Sequence, residues 1–322
     1  MKAVQFSRYG GPEVLQVVDL SVPTPGAGEV LVRLRACGVN YIDTYHRTGL
    51  YPVSLPCVPG EEGAGEVISL GAGVTDFEVG DPVAYCSISG SYAEFVSIPA
   101  ARAVKLPEDF SFESAAALML QGITAHYLVT TTFVLRQGQT CLVHAAAGGV
   151  GLLLVQLAKR AGARVIGTVS TDAKAAIVRE AGADHVILYE QEDFAEGVRK
   201  YTDGEGVEVV YDSVGKSTFD RSLKCLKPLG YLVLFGQSSG KVDPIDPALL
   251  SRGGSLFLTR PTLSNYIADR KTLEARTSEL MNLVAGKELK LRIGSTYPLS
   301  DAAEAHRSLE GRNTSGKLLL IP

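Results

Sequence analysis

Residues 140–168 read TCLVHAAAGGVGLLLVQLAKRAGARVIGT. An apolar run leads into a turn of small residues, then an amphipathic stretch at 150–161, then a second apolar run at 164–168. That succession predicts strand, tight turn, helix and strand. The turn is Ala146-Ala147-Gly148-Gly149-Val150-Gly151. Set on the pattern G-x-G-x-x-G, Ala146 takes the place of the first glycine, and Gly148 and Gly151 fit the other two. The pattern has a mechanical purpose. A backbone free of side chains can approach a pyrophosphate closely, and the helix that follows points its free N–H groups at it. Ala147, Gly148, Gly149 and Val150 are therefore candidate cofactor-binding residues, and Gly151 lets the helix pack close to the strand. Six such residues also serve an ordinary strand-to-helix turn, so the surroundings decide.

The surroundings repeat the unit. Strands are expected at 185–188, 207–211 and 231–235, and helices at 172–180, 192–201 and 218–226. Alternating strands and helices with short loops predict an α/β, doubly wound parallel sheet of the Rossmann type, spanning 122–257. Ligands of such sheets lie beyond the carboxyl ends of the strands. Those ends offer Tyr189 to stack on an adenine, and Ser213, Phe235, Gly236 and Ser238 to meet a ribose and a nicotinamide. An Asp or Glu at the end of the second strand would hold a ribose 2′-hydroxyl. Here Thr168 and Ser170 occupy the acid's positions, and Lys174 follows with a positive charge. Hydroxyls and a cation suit a 2′-phosphate, so NADPH is expected over NADH. Asp172 weakens this case, but it is better read as the cap of the next helix.

The flanks differ in character. Residues 1–121 alternate apolar and polar in short runs such as 30–34, broken by Gly and Pro at 10–12, 23–26, 59–60, 71–73 and 80–82. Short strands with frequent turns predict a small barrel or sandwich. Helical pattern is expected only late, at 112–121, with Ser111 and Ser114 placed to cap it. Residues 258–322 hold helical patterns at 272–285 and 300–310 and a last strand at 317–321. A terminal strand needs a sheet to join. The simplest arrangement returns it to the first domain, so that 1–121 with 258–322 enclose 122–257.

Composition narrows the function. Hydrophobic residues make up 46% of 322, enough for two buried cores. The net charge of −4 gives no sign of the basic footprint of a nucleic-acid binder and disfavours an anionic membrane surface. No apolar run approaches the ~20 residues that span a bilayer. The N-terminal stretch lacks the apolar centre of a secretory signal. The five cysteines are widely spaced and contain no C-x-x-C, which suits reduced thiols in the cytoplasm.

Several motifs together resemble the medium-chain dehydrogenase/reductase superfamily, and within it the bacterial type of the NADPH:quinone oxidoreductases related to zeta-crystallin. They are Gly10-Gly11-Pro12-Glu13-Val14-Leu15, Gly38-Val39-Asn40-Tyr41-Ile42-Asp43, Arg47-Thr48-Gly49-Leu50-Tyr51-Pro52, Pro59-Gly60-Glu61-Glu62-Gly63-Ala64-Gly65, residues 144–151, and Tyr211-Asp212-Ser213-Val214-Gly215. The resemblance runs the whole chain. It implies a GroES-like β-rich catalytic domain made from both chain ends, an active site in the cleft beside the Rossmann domain, and a homodimer that pairs Rossmann edge strands, with 255–260 as the edge. It implies Asn40, Asp43, Tyr45, Tyr51 and Thr124 as catalytic residues. Tyr45 and Tyr51 would stack on a flat ring, although both would serve equally as core residues of the barrel. It implies that Arg260 and the segment 313–317, with Gly316 and Lys317, reach the cofactor. Zinc-dependent relatives carry a cysteine where Asn40 stands and a histidine where Glu61 stands, so no metal is expected.

Three functions fit this resemblance. The first is reduction of a quinone by NADPH without a metal. The second is an enoyl-thioester or enone reductase, in which a placed acid such as Tyr51 would matter more. The third is an NADPH-binding redox sensor or RNA-binding protein without useful catalysis.

Overall fold

The alternating segments at 140–259 close into one six-stranded parallel sheet. Numbered from Thr140–Val143 as the first, its strands lie in the order 3-2-1-4-5-6. The chain runs outward from the first strand in one direction through Arg164–Val169 and His185–Leu188. It then returns and runs the other way through Val207–Asp212, Leu226–Leu234 and Phe257–Thr259. Right-handed crossovers therefore place the helices of the two halves on opposite faces. The three central strands are almost wholly buried, as parallel strands covered on both faces must be. Leu142, Ile166, Ile187, Val210 and Leu232 form the core on one side with Phe194, Val198 and Phe219.

The computed structural model describes residues Met1–Pro322 and divides into two compact units, Thr124–Tyr266 and Met1–Ile123 with Ile267–Pro322. The sheet belongs to the first of these. Residues 258–266, grouped above with the flanking domain, go with the sheet. Phe257–Thr259 is its sixth strand, and the Tyr266 ring stacks on Tyr127 at 4.0 Å.

The other unit is built on a seven-stranded sheet around the long strand Glu29–Val39. That strand pairs antiparallel with Glu62–Leu70, with Phe95–Pro99 and with the terminal strand Lys317–Ile321. The last residues of the chain thus return to the first domain. Val30, Val32, Val67, Val83, Ile98 and Leu318 fill the core.

One element departs from expectation. A helix, Tyr41–Thr48, stands inside the region read as strands and turns only. Asn40 is its N-cap, Asp43 sits at the third position, and Gly49 ends it at φ 79°, a left-handed conformation that glycine adopts without strain. The run Asn40-Tyr41-Ile42-Asp43 is a capping signature. With only eight residues it carried too little apolar periodicity to stand out. No helix in the chain is long and apolar enough to cross a membrane.

Candidate active site

The glycine turn builds a cradle from backbone. After Thr140–Val143 the chain reverses at Ala145, whose φ is 49°. Ala146 N–H then bonds Thr168 O at 3.1 Å and Gly148 N–H bonds Ala145 O at 2.9 Å. The helix Gly149–Arg160 starts on Gly148, which is extended and brings no side chain to cap it. The first-turn N–H groups have no acceptor within a helix, and Gly148, Gly149 and Val150 are all half-buried. A Cβ on Gly148 would stand 3.2 Å from Ala145 O, and one on Gly151 only 2.4 Å from it. Gly151 is therefore the residue that permits close packing, and Gly148 keeps the approach open. This cradle fits a pyrophosphate.

The second strand ends without a carboxylate. Ser170 and Lys174 are half-buried there, while Asp172 is exposed. The cap of helix Asp172–Glu180 is Thr171, whose hydroxyl accepts from Lys174 N, so Asp172 is the first helical residue and not the cap. Thr168 also departs from the expected role. It is 1% exposed, and its hydroxyl meets His144 Nδ1 at 3.0 Å. His144 Nε2 meets Ser222 Oγ at 3.0 Å, and Ser222 donates to Asp212 Oδ2 at 2.9 Å. Asp212 further accepts from Thr218 Oγ1 and from the N–H groups of Val214 and Gly215. Burial holds His144 below the usual imidazole range, and so neutral. Thr168 is thus a member of a buried brace beneath the turn.

The remaining loops converge on this strand edge. Tyr189 N–H bonds Val169 O at 3.1 Å, which puts Tyr189 beside the end of the second strand. Ser238 N–H bonds Ser213 O at 3.1 Å, and a Cβ on Gly236 would come 2.5 Å from the same oxygen. Phe235 N–H bonds Asp212 O, so Ser213, Phe235, Gly236 and Ser238 form one wall. Arg260 donates to Leu234 O and Gly236 O, both at 2.9 Å, and braces that wall from the edge strand.

In the other unit Asp43 and Tyr45 lie on the helix Tyr41–Thr48, with Asn40 as its cap and Tyr51 beyond its end, whereas Thr124 opens the nucleotide unit. Asn40 Oδ1 accepts from Lys317 Nζ at 2.8 Å and from Gln121 Nε2 at 3.2 Å, and its Nδ2 donates to Glu62 Oε2 at 2.9 Å. Lys317 is ion-paired with Glu62, the two being 2% and 0% exposed. Glu62 Oε1 accepts from Leu120 N. Lys317 therefore stands in a buried ion pair beneath Asn40, and is not the reaching cofactor lysine that was expected. Gly316, at φ 70°, turns the chain so that Lys317 N–H bonds Arg292 O, and a Cβ there would strike that oxygen at 2.2 Å. Its place in this unit is that of a turn residue.

Asp43 is fully buried. Its Oδ2 accepts from Asn40 N–H at 2.8 Å and from Tyr92 O–H at 3.0 Å. Burial pushes its carboxyl up to about 7, against the pull of the Asn40 N–H and with the charge of Glu61 adding to the rise. Tyr45 and Tyr51 are half-buried, with rings edge to face at 5.3 Å. His46 Nδ1 lies 3.7 Å from Glu61 Oε1. Burial lowers the imidazole and raises the carboxyl. Thr124 lies three residues beyond Gln121 on the helix Phe112–Tyr127 and is buried. Glu62, Tyr92, Gln121 and His306 were not identified from the sequence. Each meets the helix from a distant part of the chain, and only Glu62, inside a quoted motif, left any local sign.

Comparison with known proteins agrees with this two-part layout. Residues 26–108 match the alcohol dehydrogenase GroES-like domain, and residues 149–284 match the zinc-binding dehydrogenase family. A quinone oxidoreductase of Pseudomonas aeruginosa is 47% identical, with 100% of this chain and 99% of that protein covered. A 2-haloacrylate reductase of a Burkholderia species is 42% identical over 99% of this chain and 98% of its own. The crystal structure of Escherichia coli quinone oxidoreductase complexed with NADPH superposes with a TM-score of 0.98 at 45% identity, covering both chains in full.

Proposed function

The chain belongs to the quinone oxidoreductase family of the medium-chain dehydrogenase/reductase superfamily, and on that premise we propose that it is an NADPH-dependent reductase of quinones. The observation that carries the reading is the 47% identity along the whole length to a quinone oxidoreductase. The cradle supports the cofactor. Gly148, Gly149 and Val150 would hold the pyrophosphate, Ser170 and Lys174 the 2′-phosphate, and Tyr189, Ser213, Phe235, Gly236 and Ser238 the rest of the molecule, with Arg260 behind them. NADPH supplies the hydride when bound.

The chain's own work is to position and to exclude water. A quinone is already electrophilic, so position and a dry pocket suffice without a Lewis acid. Where zinc-dependent relatives carry a cysteine this chain has Asn40, and its amide is engaged by Lys317, Gln121 and Glu62. Tyr45 and Tyr51 present half-buried rings against which a flat acceptor can lie.

We place the protein in the cytoplasm as a homodimer. Five free cysteines, four of them buried, suit a reducing compartment. The edge strand Phe257–Thr259 carries Phe257, 46% exposed and stacked on Tyr231 at 4.4 Å, and such an edge calls for cover. A monomer by sedimentation at micromolar concentration would contradict the dimer. The net charge of −4 gives no sign of a nucleic-acid partner.

A second reading rests on the 42% identity to a reductase of 2-haloacrylate, a conjugated acid. Turnover with a panel of benzoquinone, naphthoquinone, an enone and an enoyl thioester separates the two. The proposal expects NADPH to be oxidised fastest by a quinone, and NADPH binding without turnover of any acceptor would overturn it.

A further inference from the structure

Behind the wall of Ser213, Phe235, Gly236 and Ser238 lies one buried carboxylate. Asp212 is 0% exposed, and its side chain accepts four hydrogen bonds. Oδ1 takes Val214 N–H at 2.7 Å and Gly215 N–H at 3.0 Å. Oδ2 takes Thr218 Oγ1 at 2.7 Å and Ser222 Oγ at 2.9 Å. The main-chain oxygen of Asp212 accepts from Phe235 N–H at 2.9 Å and Gly236 N–H at 3.3 Å. One residue thus holds both parts of the wall. Its side chain holds the loop after the fourth strand, and its carbonyl holds the loop after the fifth.

The side-chain contacts also have a direction. A carboxylate only accepts, and a hydroxyl has one proton to give. Ser222 gives its proton to Asp212, so toward His144, 3.0 Å away, it can only accept. His144 Nε2 therefore carries the ring proton. Burial keeps this imidazole neutral, so Nδ1 is bare and takes the Thr168 hydroxyl proton across 3.0 Å. From Thr168 to Asp212 every proton points the same way, through four side chains that are each 2% exposed or less. The Thr168 hydroxyl is committed inward by a charge at the far end of the line.

We propose that Asp212 is a positioning residue for the nicotinamide half of the cofactor, and that its charge sets the proton order of the line from Ser222 through His144 to Thr168. The inference rests on the NADPH reading above. Ser213, Phe235, Gly236 and Ser238 would touch the cofactor, and Asp212 acts through them. Its donors are of two kinds. The N–H groups of Val214 and Gly215 cannot reverse, whereas the hydroxyls of Thr218 and Ser222 can. In Asp212→Asn the amide oxygen therefore goes to Val214 and Gly215, and the amide nitrogen faces the hydroxyls. Thr218 can turn its proton to Gly215 O, 3.1 Å away. Ser222 can turn its proton to His144 Nε2, which drives the ring proton to Nδ1 and makes Thr168 the acceptor.

The test records the 15N imidazole resonances of the full chain, with His144→Gln identifying this ring among the five histidines. Calorimetry measures the binding of NADPH and of adenosine 2′,5′-bisphosphate, which lacks the nicotinamide half. The proposal expects His144 to be the neutral Nε2–H tautomer and Asp212→Asn to convert it to Nδ1–H. Ser222→Ala cuts the line, so adding Asp212→Asn to that variant should leave the imidazole unmoved. Asp212→Ala takes the acceptor from two N–H groups and should weaken NADPH about tenfold while adenosine 2′,5′-bisphosphate stays within about twofold. Asp212→Asn should restore most of the NADPH affinity. An Nδ1–H tautomer in the unaltered protein, a tautomer that Asp212→Asn leaves in place, or equal losses of both ligands in Asp212→Ala would overturn the proposal. If Asp212→Ala does not fold, the tautomer in Asp212→Asn decides alone. Unaltered protein that shows the tautomer and its reversal yet binds no NADPH would overturn the reductase reading and uphold the proton order.

Discussion

The cradle at residues 145–151 and the cluster around Asn40 do comparable work in different ways. The cradle is local. Seven consecutive residues, one reversed φ and one uncapped helix end make it, and its groups are backbone N–H. The cluster is assembled. Asn40, Glu62, Gln121 and Lys317 meet from four separate parts of the chain, and Asp43 is held by Tyr92, which is held in turn by His306. Its groups are buried side chains, several of them charged. A backbone site is lost when a side chain intrudes. A side-chain site is lost when one partner leaves, because the remainder is stranded in a medium that does not solvate it.

The largest effect should come from stranding a charge. Lys317→Leu leaves Glu62 buried without its cation and should cost about 3–5 kcal/mol, read as a lower midpoint in urea unfolding. Replacing Lys317 and Glu62 together by apolar residues should recover much of that loss. The cradle should fail by intrusion. In Gly151→Ala the added carbon meets Ala145 O at 2.4 Å. The helix must shift, at about 1–3 kcal/mol of stability, and NADPH should bind more weakly by calorimetry. Thr168→Val sharpens the contrast within the nucleotide unit. It removes the partner of His144 Nδ1 and should cost on the order of 1 kcal/mol, while the ratio of NADPH to NADH affinity stays unchanged. Lys174→Ala should do the reverse. Stability should hold, and the preference for NADPH should fall about tenfold, the scale of one lost charge-assisted bond.

The same contrast explains what could be read in advance. The parallel sheet and the cradle were legible because their information is periodic and contiguous. Strands, turn and helix follow one another within 29 residues, and the glycines stand where the backbone must close up. The terminal strand Lys317–Ile321 was legible as a strand that needed a sheet, but the lysine that opens it looked like a ligand-binding cation. Only its partner Glu62, 255 positions away, shows that it is structural. Thr168 was misread for a related reason. A hydroxyl at a strand end can face the crevice or the interior, and His144 draws it inward. Asn40 and Asp43 came from family resemblance alone. The eight-residue helix that carries Asp43 has half its residues buried as polar or charged groups, and no hydrophobic stripe announces such an element.

The central claim is that a cradle without an acid at the ribose position serves hydride transfer from NADPH to a quinone. Its most direct test follows the loss of reduced-nicotinamide absorbance when purified protein is given NADPH or NADH with 1,4-benzoquinone. The account predicts rapid oxidation of NADPH and much slower oxidation of NADH. Equal rates with both cofactors, or no oxidation of NADPH despite measurable binding, would contradict it.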